Sequence, residues 1–268
     1  MIAATFSCDV CFGSDLQAYP AMTSCGRALW RCAGCGLVAA SPSRAPDDPL
    51  QSPSREARDE ERRAAAVRRL LPSGRVLDVG CGTGVFLAAL EPELYVVTGL
   101  EQDDGSAILA RERLQSVGAR GSVLVGELRD SRLPSESFDL VALFGHLARS
   151  ASPRATLMEV SRLLHPGGHV MIETPSLDSL TARLRGTHWR PLHDPRADYF
   201  FTPATLRRLV VSCGFEPGPT RPPMPAGWPH PGTLVHVARK AGQPVRLLEP
   251  ADLAEAIPSI SSPLGALQ

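Results

Sequence analysis

Arg75-Val76-Leu77-Asp78-Val79-Gly80-Cys81-Gly82-Thr83-Gly84-Val85-Phe86-Leu87-Ala88-Ala89-Leu90, followed by Tyr95-Val96-Val97-Thr98-Gly99-Leu100-Glu101, carries the reading of the fold. Residues 75–79 read as a short apolar strand, 80–84 as a glycine turn and 85–90 as a helix. Strand, turn and helix make the first βα unit of a nucleotide-binding α/β domain. Glycines suit the turn because the backbone must reverse sharply and let a ligand approach with no Cβ in the way. The spacing is G-x-G-x-G, not the G-x-G-x-x-G of dinucleotide enzymes, which disfavours a nicotinamide dehydrogenase. Residues 95–100 read as a second strand, and Glu101 stands at its carboxyl end, seventeen positions beyond Gly84. That is near the ~20 residues expected of an acid that accepts hydrogen bonds from ribose hydroxyls.

The alternation continues outward. Residues 104–117 read as a helix, 122–126 and 139–144 as strands, 153–164 as a helix and 168–173 as a fifth strand. Such alternation predicts a mostly parallel sheet with right-handed crossovers and its ligand site at the carboxyl ends of the strands. Upstream, residues 55–71 are amphipathic and helix-like, ended by Pro72-Ser73-Gly74. Downstream of Phe215, prolines 217, 219, 222, 223, 225, 229 and 231 predict a loop with at most a short strand. Residues 232–239 read as a closing antiparallel strand, and 242–268 as a poorly ordered tail with weak helical character at 251–257.

Four of the seven cysteines fall into two pairs, Cys8-Asp9-Val10-Cys11 and Cys32-Ala33-Gly34-Cys35. Paired C-x-x-C knuckles about twenty residues apart have the spacing of a tetrahedral four-cysteine zinc site, closed by its thiolates and therefore structural. Gly13 and Gly36 follow the knuckles and suit their turns, and Ala28 to Arg31 reads as a strand leading into the second. Cys25, Cys81 and Cys213 read as packing residues. The expected organisation is a zinc ribbon over 1–40, a linker over 41–54, the α/β domain over 55–241 and the tail.

The chain carries 28 basic and 28 acidic side chains, so its net charge is zero. There is no long-range pull toward nucleic acid or anionic lipid. Only Lys240 among the basic residues is a lysine, so arginine-rich stretches reflect overall usage rather than phosphate binding. With 43% hydrophobic and 21% charged residues the composition is that of a folded globular chain, not a disordered one. No window approaches the ~18 apolar residues of a membrane span, and Met1 to Phe12 show no secretory signal. A cytoplasmic protein, monomer or homodimer, is expected.

Val76 to Gly84 resembles the first motif of class I S-adenosylmethionine-dependent methyltransferases. Ser137-Phe138-Asp139-Leu140-Val141 and Leu163-Leu164-His165-Pro166-Gly167-Gly168 are similar to two later signatures of that superfamily. The run from Gly186 to Gly214, with Trp189, Tyr199-Phe200-Phe201 and Leu206, resembles the end of a subgroup that often carries an N-terminal zinc ribbon. The resemblance implies a Rossmann-like class I methyltransferase sheet, mostly parallel with an antiparallel closing strand, preceded by a small zinc ribbon. It implies S-adenosyl-L-methionine as cofactor, with Asp78, Gly80, Cys81, Gly82 and Gly84 about its methionine part. Glu101, beside Gln102, would take both ribose hydroxyls, and Glu127 and Leu128 would sit by adenine. Phe144, with Gly145 and His146, would face cofactor and substrate. Asp139 and residues 166–168 read as fold positions. Relatives often have a histidine where this chain has Asp198.

The implied activity is methyl transfer to a small-molecule acceptor in a biosynthetic pathway, oxygen favoured over carbon or nitrogen. An acceptor hydroxyl would call for a base near neutral pKa, and histidine fits. His146 and His193 are the candidates, with His188 and Glu173 behind them. Trp189, Tyr199, Phe200 and Phe201 read as lid packing before stacking on an acceptor. The alternatives are a ribosomal RNA methyltransferase with a zinc ribbon, disfavoured by the lack of a basic stripe, and a non-catalytic, zinc-stapled binding subunit.

Overall fold

A computed structural model describes residues 7–22, 26–41, 53–218 and 232–242. Cys25, most of the expected linker, the prolines from 219 to 231 and the tail beyond 242 lie outside the described residues.

Seven strands build the main sheet: β4 (Gly74–Val79), β5 (Tyr95–Glu101), β6 (Arg120–Val125), β7 (Phe138–Phe144), β8 (Leu164–Pro175), β10 (Phe215–Pro217) and β11 (Thr233–Lys240). Their order is β10-β11-β8-β7-β4-β5-β6, with β4 to β8 parallel to one another and β11 antiparallel to both β8 and β10. The helices are α1 (Pro53–Leu70), α2 (Val85–Ala88), α3 (Asp104–Ser116), α4 (Pro153–Leu163), α5 (Leu180–Arg185) and α6 (Pro203–Ser212). The chain runs outward through β4, β5 and β6, then returns to lay β7 on the other side of β4. The sheet order therefore reverses at β4, where a crevice opens for a ligand.

Central strands buried on both faces read as continuous apolar runs. Val76, Leu77 and Val79 of β4 and Leu140 to Leu143 of β7 are accordingly almost inaccessible. Two apolar clusters cover the two faces, one built with Ala64 and Val67 of α1 and the other with Leu206, Leu209 and Val210 of α6. Strand β8 begins earlier than residue 168 because Pro166-Gly167-Gly168 forms a bulge against β7, between the pairs Phe138–Leu164 and Leu140–His169. Asp139 has a role in the backbone: its carboxylate accepts from the Arg75 amide at 2.8 Å. The helix after the glycine turn is two residues shorter than expected, a difference at a frayed end.

A second sheet, wholly antiparallel, has the order β1 (Leu16–Met22), β2 (Ala28–Cys32), β3 (Val38–Ala40) and β9 (Tyr199–Phe200). Of these only β2 is visible in the local sequence pattern. Strand β1 contains Pro20 and is irregular between Ala18 and Met22, as expected where proline cannot donate to a ladder. Strand β9 comes from far along the chain and pairs with β3 through Val38–Phe200 and Ala39–Tyr199. The cysteine-bearing lobe thus takes its fourth strand from the segment that follows the main sheet's β8.

Polar contacts weld the lobe at a second place. The Asp9 carboxylate accepts from the Ser152 hydroxyl at 2.8 Å and the Arg154 amide at 2.7 Å, at the start of α4. The buried Arg154 guanidinium donates back to the carbonyls of Asp9 (2.9 Å) and Val10 (2.6 Å) and to Ser212 (2.9 Å). Removing it would leave buried acceptors unsatisfied, at roughly 1–3 kcal/mol each. Arg154→Ala is therefore expected to lower the melting temperature by about 10 °C. In calorimetry the unfolding should remain a single transition. A separate low-temperature transition for the lobe would show the two sheets to be independent.

Candidate active site

At the carboxyl end of β4 the chain turns through Gly80, Gly82 and Gly84, with φ of 78°, 53° and 74°. Two of these glycines answer different needs. A Cβ on Gly84 would stand 3.0 Å from the Cβ of Ala110, so this glycine lets α3 press against the turn. A Cβ on Gly82 would meet nothing within 4 Å. Its surroundings are open, as a ligand-facing turn requires.

Glu101 ends β5 beside this turn. One carboxylate oxygen accepts from the Gly82 amide at 2.8 Å, and the other from the amides of Gln102 (2.8 Å) and Asp103 (3.1 Å). Three backbone donors hold the acid at the mouth of the glycine turn. Gln102 itself is exposed and contributes its amide. Cys81 lies in the turn, but its thiol packs under Gly99, where an added Cβ would be 2.6 Å from the sulfur. Burial pushes that thiol's pKa up, so Cys81 meets the crevice only through its backbone. Past β6, Leu128 is buried, while Glu127 is exposed and paired with Arg129 at 2.8 Å.

Beneath the turn, Asp78 is 4% exposed. Burial, helped by Glu60 and opposed by Arg63, pushes its carboxyl well above the usual range. Arg63 of α1 is the organising cation. Its guanidinium grips Glu173 at the end of β8 with two parallel bonds of 2.8 and 3.0 Å, and it lies 4.6 Å over the Phe144 ring. Phe144 in turn meets Phe86 edge-on at 5.0 Å. No local pattern sets Arg63 apart among the arginines of α1; only the fold brings it 110 positions back onto Glu173.

A cavity of about 170 Å³ opens beside this pair, its polar wall formed by Arg63, Glu173, Thr174, Thr233, Arg149 and Asp194. Arg149 and Asp194 form an ion pair at 2.8 Å. The Thr174 hydroxyl is buried with no hydrogen-bond partner among the described residues, so the wall offers a donor and an acceptor. Among the described residues no aromatic side chain lines this space. Trp189, Phe200 and Phe201 are buried in the cores, and Tyr199 stacks on Phe201 at 6.4 Å.

The histidines separate. His146 overhangs the turn, its Nδ1 3.6 Å from a Cβ placed on Gly80. Burial first, and then Arg149, lower its pKa to about 4. His146 does not line the cavity, although Gly145 and Ala148 around it do, and neither does His193, which stands between Pro191 and Asp194 of the wall. Its Nε2 donates to the Thr187 carbonyl at 2.9 Å, which ties the 187–193 turn together. His188 is exposed.

The four N-terminal sulfurs gather within 4.8 Å of one another, with Cys8–Cys35 at 3.4 Å and Cys11–Cys32 at 3.5 Å. A tetrahedron with Zn–S bonds of ~2.3 Å has edges of roughly 3.8 Å, so this all-sulfur set fits zinc. The knuckles share one geometry: the Phe12 amide donates to the Cys8 carbonyl and the Gly36 amide to that of Cys32, both at 2.8 Å. The residue after each second cysteine is left-handed, at φ 60° for Phe12 and 80° for Gly36. The first knuckle therefore uses Phe12 where Gly13 was expected. The Arg154 guanidinium over its ring, at 4.3 Å, helps hold that conformation.

Residues 54–217, more than half of the chain, match a family profile described as a methyltransferase domain. The chain belongs to this family, and its fold is that of class I S-adenosylmethionine-dependent methyltransferases. A solved structure from Thermotoga maritima, described as a possible histamine N-methyltransferase, is 26% identical with a TM-score of 0.53, over 69% of this chain and 90% of that one. A ubiquinone biosynthesis O-methyltransferase of Azorhizobium caulinodans is 25% identical over 55% of this chain and 61% of its own length. One from Vibrio atlanticus is 30% identical over 37% and 43%. A probable S-adenosylmethionine-dependent methyltransferase of Mycolicibacterium smegmatis is 28% identical over 53% and 51%. The chain thus spans about half the length of these curated relatives.

The lowered pKa of His146 makes a pH prediction. Unfolded, the ring titrates near 6.5; folded, near 4. Between these values only the unfolded chain binds the proton, so stability is intact above about pH 6.5 and is lost as pH falls toward 4. His236, lowered to about 4 by burial and then by Arg207, adds to the same slope. The slope of melting temperature against pH from 6.5 to 4 should flatten in His146→Asn. An unchanged slope, or an imidazole midpoint near 6.5 by NMR, would contradict the buried neutral ring.

Proposed function

We propose that this protein methylates a small-molecule acceptor from S-adenosylmethionine, with oxygen as the favoured acceptor atom. The observation that carries the proposal is Glu101: an acid bound to the amide of Gly82, in a glycine turn, at the reversal point of the sheet. A carboxylate held there can exchange its backbone partners for two ribose hydroxyls. S-adenosylmethionine, when bound, supplies a sulfonium methyl group that needs no further activation.

The chain's own residues have four tasks. Gly80, Gly82 and Gly84 keep the turn open to the cofactor's methionine part, while Leu128 gives an apolar wall for adenine, with Glu127 and Gln102 at the rim. Glu60 and Glu173 outnumber Arg63 beneath the turn, a surplus of acids that favours a cationic ligand. Phe144 shields that charge from water. The cavity beyond Glu173 holds the acceptor, with Thr174 offering its hydroxyl. Alignment there can supply up to ~7–11 kcal/mol in ideal cases.

His146, beside the turn and next in the chain to Gly145 of the cavity wall, is neutral at pH 7 and is our candidate to receive the acceptor's proton. Its low proton affinity suits an acidic hydroxyl better than an alcohol. His193 would act through the shape of the wall. The two relatives named for ubiquinone biosynthesis support oxygen as acceptor atom and a biosynthetic role. In the four-cysteine lobe, a structural zinc would be bound by Cys8, Cys11, Cys32 and Cys35.

Native mass spectrometry of the protein purified without added metal or cofactor tests these parts together. One zinc and one adenosyl ligand per chain are expected. Failure to bind S-adenosylmethionine in excess would replace the enzyme by a binding subunit. Glu101→Ala should weaken S-adenosylmethionine binding about thirtyfold, equivalent to ~2 kcal/mol, by calorimetric titration; an unchanged affinity would sink the ribose assignment. Cys32→Ser should abolish zinc retention while leaving residues 74–101 folded.

A further inference from the structure

The wall of the cavity opposite Glu173 comes from Pro191, Asp194 and Ala197. This segment runs from α5 to β9 through two short 3₁₀ turns, 186–188 and 190–193, and makes no ladder with the seven-stranded sheet. Its apolar side chains are buried elsewhere. Trp189, Leu192, Ala197 and Phe200 share a cluster with Leu29, Val38 and Ala40 of the cysteine lobe.

Arg27, 7% exposed, closes that junction. Its guanidinium donates to the Ser41 carbonyl at 2.7 Å, to the carbonyls of Pro195 (2.9 Å) and Ala197 (3.2 Å), and to the Asp198 carboxylate. Asp198 is fixed on both flanks: its amide donates to the Ala148 carbonyl, on the cavity wall, and its carbonyl accepts from Ala40 of β3, each at 2.8 Å. A planar cation with five donors can satisfy several convergent carbonyls and a carboxylate together, which lysine cannot.

We infer that the cysteine lobe buttresses one side of the acceptor cavity from behind, with Arg27 as the positioning residue that sets residues 194–198. The inference rests on reading this cavity as the acceptor site. The division of labour is then spatial: the main sheet holds the cofactor, and the lobe shapes what is methylated.

The test is hydrogen–deuterium exchange on the full chain, with S-adenosylmethionine affinity measured in parallel. In Arg27→Gln, amides of 194–198 should exchange about tenfold faster or more. Those of 78–84 should be unchanged, and the Kd for S-adenosylmethionine should stay within twofold. Arg27→Lys should fail to restore protection, because it lacks the fork. Asp198→Asn removes the ion pair but keeps the backbone contacts. It should give an intermediate rate, and it serves as the test if Arg27→Gln does not fold. Unchanged exchange in 194–198, an increase spread evenly over the chain, or full rescue by lysine would overturn the assignment. A wild-type chain that does not bind S-adenosylmethionine would instead sink the methyltransferase reading and leave the exchange result standing.

Discussion

The close approach of backbone at the end of β4 is the constraint from which the rest follows. The turn can pass between β4 and α3 only because Gly84 has no side chain to meet Ala110. That contact brings Gly82 to Glu101, and the reversal of strand order at the same point leaves the crevice unfilled. A substituent at Gly84 would push α3 away from the turn and separate the acid from the amide it now holds.

Around that turn the electrostatics are arranged in layers. Glu101, near the mouth, is stabilised by three amides. Asp78, deeper, is pushed toward its neutral form by burial. Arg63 balances Glu173 and Glu60 while stacking on Phe144. A low-dielectric wall on one side of these charges strengthens their field on the other. His146 belongs to the same layering, since the burial that keeps Arg63 paired also keeps the imidazole neutral.

The cysteine lobe is less a separate module than its spacing suggests. A zinc ribbon read from two C-x-x-C pairs is complete in itself, because four sulfurs close a tetrahedron. Its sheet is not complete: β3 offers a free edge, and an open edge invites pairing. Here β9 fills it. The aromatic run that forms β9 has no alternation to mark it as a strand, and its partner lies some 160 positions away. Asp198 acquires its meaning from Arg27 across that junction.

The amino-acid sequence by itself determined the α/β class, the strand–glycine–helix unit with Glu101 at the next strand's end, the closing antiparallel strand and the gathering of four cysteines. These are local: each depends on period, on turn chemistry or on spacing within some thirty residues. Tertiary structure alone decided that Arg63 meets Glu173, that the His193 ring ties to Thr187 instead of lining the cavity, that Cys81 turns its sulfur inward, and that Arg27 clamps the cavity wall. In those cases the partners are remote in sequence, and an arginine or histidine looks the same in any local context. What distinguishes them is burial and the geometry of the opposing group, and both exist only after the chain has folded.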